Sequence, residues 1–94
     1  MSTSLDKFRA KLVIKIVYAK SAGEVRRFIH AAVRGMERAK VGGQVIARFV
    51  DRILNQLELL QHRVAGEDIS ANIAAARMSL HQALDLIRNS SGLA

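Results

Sequence analysis

Cysteine, proline and tryptophan are all absent from these 94 residues. Without cysteine there is no disulfide to staple a small core and no thiolate to hold zinc or an iron–sulfur cluster. Without proline nothing locks φ or deletes a backbone N–H inside a helix, so long helices can run uninterrupted. Aromatics are scarce, with one Tyr and three Phe, too few for the base-stacking platform of a single-strand binder. No apolar run approaches the ~18–20 residues that cross a bilayer, so no transmembrane segment is expected. Lys7, Arg9 and Lys11 ahead of an apolar stretch loosely resemble a secretory leader. Lys15 interrupts that stretch and Asp6 sits among the basic residues, so the expected location is cytoplasmic.

Acidic residues are scarce in one half only. Residues 1–40 carry ten Lys/Arg against Asp6, Glu24 and Glu37, whereas residues 41–94 carry five of each sign, so the net charge of +7 belongs to the first half. Such a surplus steers a protein toward nucleic acid, anionic lipid or an acidic protein without choosing among them.

What the chain has in quantity is helical periodicity. Ile46, Val50, Ile53, Leu57, Leu60 and Val64 step by fours and threes, and so do Ile69, Ile73, Ala76, Leu80, Ala83 and Ile87. Each set is one face of a helix. Folded back at Gly66, the sets pair rung by rung: Val64 with Ile69, Leu60 with Ile73, Leu57 with Ala76, Ile53 with Leu80, Val50 with Ala83, and Ile46 with Ile87. The first half repeats the plan, pairing Ala19 with Val25, Ile16 with Phe28, Leu12 with Ala32, Phe8 with Met36, and Leu5 with Ala39. Ser2, Thr3 or Ser4 caps the first helix, Ser21 and Glu24 have capping-box spacing for the second, and the glycines at 42 and 43 supply a left-handed end to that helix. The predicted fold is all-α: an antiparallel four-helix bundle of two hairpins in one domain, with helices over 4–20, 22–40, 44–65 and 69–89 and a frayed tail.

Neither hairpin is expected to stand alone. Burying a large aliphatic side chain contributes about 1.5–3 kcal/mol, but ordering each residue costs about 1–2 kcal/mol of backbone entropy. The two stripes must cover each other, within one chain or between the hairpins of two. The β-branched run Leu12–Tyr18 also fits a strand, although the rest of the chain holds no obvious partner for one.

Two surfaces carry the functional expectation. Arg27, Arg34 and Arg38, with His30 at the edge, share one side of the second helix, and Lys7, Lys11 and Lys15 recur every four residues on the first. These rows suit an acidic partner or nucleic-acid phosphates; the plainer alternative is a solvated face. Val13, Ile14, Val17 and Tyr18 on the first helix and Ala71, Ala75, Met78 and Leu86 on the fourth form apolar surface beyond one core stripe. Such surface points to self-association as a homodimer, with a more deeply buried first helix as the alternative. Ala31, Gly35 and Val41 have helix-turn-helix spacing, but the glycines at 42 and 43 would fall inside the recognition helix. Ala31, Gly35 and Ala39 read better as a small-residue strip.

The pairs Glu58/His62 and His81/Asp85 face away from the core and lie too far apart along the hairpin to share a metal. With no activated nucleophile, buried polar cluster or phosphate loop in the pattern, the expectation is a non-catalytic interaction module without metal or cofactor. Nonspecific nucleic-acid binding is the first alternative. A peripheral membrane protein that uses its first helix is the second.

Overall fold

The computed structural model describes residues 3–63 and 66–92 as four α-helices: α1 Thr3–Val17, α2 Ala22–Arg38, α3 Gly43–Arg63 and α4 Glu67–Gly92. No strand occurs among the described residues. The β-branched run is helical because Leu12, Val13 and Ile16 are all buried. A helix puts those three on one side, whereas strand alternation would turn Leu12 and Val13 to opposite faces.

α3 and α4 pack against each other through the expected faces. Ile46, Val50, Ile53 and Leu57 are buried, as are Ile73, Ala76 and Leu80, with Leu60, Ala83, Ile69 and Ile87 half-buried. Val64 lies outside the described residues. Phe49 and Leu84 join this core, widening the stripe on each helix. At 26 residues, α4 is about 39 Å long at 1.5 Å per residue. That nearly matches the 42 Å long dimension of the molecule. It packs most extensively on α2 and α3 and also touches α1, so three helices are assembled around α4.

The first hairpin holds only at its closed end. Leu12, Ile16, Val25 and Ala32 are buried as expected, but Phe8 is exposed to 37 % and Ala39 is exposed. Phe8 stacks on Phe49 of α3, with centroids 5.5 Å apart and rings inclined at 27°. The start of α1 thus reaches α3, and Val13 lies in the core at 5 % exposure. Val13 is thus a core residue and not part of a self-association face.

Helix ends differ from the periodicity in ways the backbone explains. Apart from Thr3 and Ser4, which already lie within α1, its candidate cap Ser2 lies outside the described residues. α1 stops at Val17 instead of Lys20. The side-chain amide of Asn72 on α4 donates to the carbonyls of Val17 (3.2 Å) and Ala19 (2.9 Å), serving groups that a helix end leaves without intrahelical donors. α2 ends in a Schellman motif. The N–H of Val41 reaches the Met36 carbonyl and that of Lys40 the Glu37 carbonyl, both at 3.0 Å. The left-handed residue is Lys40, at φ 61°, and no glycine among the described residues has positive φ. The half-buried Val41 returns to the core directly after Lys40, so the reversal comes before the glycines are reached. α4 starts two residues earlier than expected and extends three residues beyond Asn89.

Candidate functional site

The site is built on α2, whose start is fixed locally. Ser21 is extended (φ −159°, ψ 163°), and its hydroxyl accepts from the N–H of Glu24 at 3.2 Å. The Glu24 carboxylate accepts from the Lys20 N–H at 2.9 Å. With that end capped, Val25, Ile29, Ala32 and Met36 go into the core. Arg27, Arg34 and Arg38 stand exposed on the other side, with His30 exposed on the flank, as the spacing predicts.

These guanidinium groups are not neutralised by any carboxylate among the described residues. Among the described residues, ion pairs form only at Asp6, with Arg9 at 3.2 Å and Arg52 at 3.9 Å. Arg26, Arg27, Arg34 and Arg38 therefore have no carboxylate within 4.0 Å among the described residues.

One flank of this face borders a groove of about 680 Å³ that runs between α2 and α4 and is closed at one end by the start of α3. Its floor is apolar, with Ile29 and Val33 from α2, Ile46 from α3, and Ala83 and Ile87 from α4. Arg26, His30, Arg34 and Glu37 form the α2 rim, faced by Ser79, Gln82 and Leu86 of α4. The sequence pattern alone missed the groove and Arg26. Arg26, His30, Val33 and Glu37 do follow the four-three-four spacing of a single stripe, so the rim was legible once α4 was known to lie beside it.

The lysine row is exposed but separate. Lys7, Lys11 and Lys15 lie on α1, and no α1 residue lines the groove. The ammonium of Lys15 is 5.7 Å from the centre of the Phe28 ring, a cation–π contact that ties it to the other side of α2. Ile14 and Tyr18, exposed to 58 % and 77 %, share the outer face of α1 with the lysines. Val17 is half-buried against the core.

On α4, Ala71 is exposed, Ala75 is half-buried, and Met78 and Leu86 are exposed to 67 % and 69 %. Met78 lies in a shallower hollow of about 460 Å³ with Ala74, Arg77, His81 and Gln82, while Leu86 belongs to the larger groove. The remaining apolar candidates thus form two groups on different helices.

Glu58, His62, His81 and Asp85 are exposed, and no three metal-ligating side chains come together among the described residues. Within the small-residue strip, Ala31, Gly35 and Ala39 are exposed, and a Cβ added at Gly35 would meet nothing within 4 Å. No helix among the described residues is long and apolar enough to cross a membrane. No family model, no curated protein and no solved structure matches the chain.

Proposed function

We propose that this chain is a non-catalytic helical interaction module that binds an acidic partner through the basic face of its first hairpin, chiefly α2. The observation that carries the reading is the set of exposed arginines, Arg26, Arg27, Arg34 and Arg38, with no carboxylate within 4.0 Å among the described residues. A folded chain gains little from such a row. Like charges four residues apart, as at Arg34 and Arg38, destabilise a helix by about 0.2–0.5 kcal/mol. An acidic partner turns that repulsion into charge-assisted hydrogen bonds.

Nonspecific nucleic-acid binding is the second reading, because guanidinium forks fit phosphate as well as carboxylate. Titrating the protein with an acidic peptide and with duplex DNA at low salt separates the two. Tighter binding of DNA, with a log–log salt slope of about −0.9 per phosphate contacted, would overturn the acidic-protein reading. Self-association is part of the proposal and falls to the neutral half, through Met78 and neighbouring apolar residues of α4. Light scattering is expected to give a dimer mass, and a clean monomer at tens of micromolar would remove it. The exposed Ile14 and Tyr18 beside Lys7, Lys11 and Lys15 support a membrane-surface reading of α1. Failure to sediment with anionic vesicles would eliminate that reading.

A further inference from the structure

We infer that the groove between α2 and α4 is the seat of that acidic partner, and that its occupant is an amphipathic α-helix of another protein. The inference rests on the acidic-partner reading and adds to it a place and a shape.

The groove has the two features that helix-in-groove recognition requires. Ile29, Val33, Ile46 and Ile87 give it an apolar floor, and Leu86, exposed to 69 %, extends that surface onto the α4 lip. An apolar floor that opens along a helix rather than closing over a ligand suits an elongated occupant. Small-molecule sites bury about 70–90 % of what they bind. The α2 rim from Arg26 to Glu37 covers eleven residue steps, about 17 Å or three turns. A partner helix of that length presents apolar anchors at i, i+3 or i+4, and i+7.

Charge selects the occupant. Arg26 and Arg34 flank the floor on one side, and neither has a carboxylate within 4.0 Å among the described residues. The lip across from them, Ser79 and Gln82, is uncharged. A helix seated here therefore needs acids on the edge that faces α2. A second copy of this chain is the wrong occupant, since its net charge is +7 and residues 41–94 carry as many Arg as acids. Glu37 ends the rim beside Val41 and Gly43. The acids of the bound helix therefore face Arg26 and Arg34.

The test uses the full chain and a labelled peptide of about fourteen residues, four helical turns, with leucines on one face and glutamates elsewhere. The control peptide has the same composition with its leucines scattered around the helix. At low salt the ordered peptide is expected to bind at least about tenfold more tightly than the scrambled one. Amide-shift changes should centre on Ile29, Val33, Ile46 and Ile87. Arg26→Glu and Leu86→Glu should each weaken binding about tenfold, with helicity and thermal midpoint retained. Gln82→Glu, an exposed change on the same lip, provides a second reading should Leu86→Glu disturb the fold. Arg63→Glu, exposed on α3 and off the groove, should cost less than about threefold, because it acts only through long-range attraction. Equal binding of both peptides, with Leu86→Glu and Gln82→Glu silent, would overturn the groove and leave the acidic-partner reading standing. No binding of either peptide would overturn both.

Discussion

At the residue scale, the side chain that reports most on the fold is polar. Asn72 is the one buried polar residue among those described, at 5 % exposure, and its amide serves two carbonyls at the end of α1, those of Val17 and Ala19. Asn72→Ala leaves both carbonyls without that donor and is expected to cost about 1–3 kcal/mol, read as a lower urea midpoint. Asn72→Asp should cost at least as much, because a carboxylate donates nothing and faces two carbonyl oxygens. Lys40 makes the opposite case. It holds φ 61°, where an L-residue pays for its Cβ and glycine does not. Lys40→Gly is therefore expected to stabilise the chain by about 1 kcal/mol, or roughly 4–8 °C in thermal midpoint for a domain this size.

At the scale of the element, α2 carries both the fold and the proposed function. Its buried face fits one stripe, its start is capped, and its end is a complete Schellman motif. The weak point in its second half is Gly35, exposed with open space where a Cβ would go. Gly35→Ala is expected to add about 0.5–1 kcal/mol. It should leave peptide binding unchanged, since Gly35 does not line the groove. A stabilised variant that loses peptide affinity would move the docking site to the strip of Ala31, Gly35 and Ala39. α1 contributes differently. Its apolar residues are split between the core (Leu12, Val13, Ile16) and the outside (Ile14, Tyr18), so it presents no clean stripe to any one neighbour.

At the scale of the molecule, charge is the organising asymmetry. The basic half holds α1 and α2, and the neutral half holds α3 and α4. Repulsion among exposed like charges is screened over about 10 Å at 0.1 M salt. Raising sodium chloride is therefore expected to raise the thermal midpoint while lowering affinity for the acidic peptide. If both moved in the same direction, the exposed arginines would not be the source of the interaction. Self-association should respond little to salt, because the proposed contact lies in the half whose charges balance. Met78→Glu should then reduce the light-scattering mass toward that of one chain.

The sequence by itself determined the four helices, the buried faces of α3 and α4 and the outward arginines of α2. Each of these depends on spacing within one helix or across one tight turn, and spacing is a local property. Only the tertiary structure decided where α1 goes, because Phe8 had two apolar surfaces within reach and took Phe49. The same fold places Val13 inward and leaves Ala39 outside. The groove was also a tertiary outcome. It exists because α4 lies alongside α2, two helices far apart in the chain, and no periodicity within either one records the space between them. The placement of Asn72 against the end of α1 has the same origin, since an asparagine within an apolar stripe becomes a cap only when another helix brings it carbonyls.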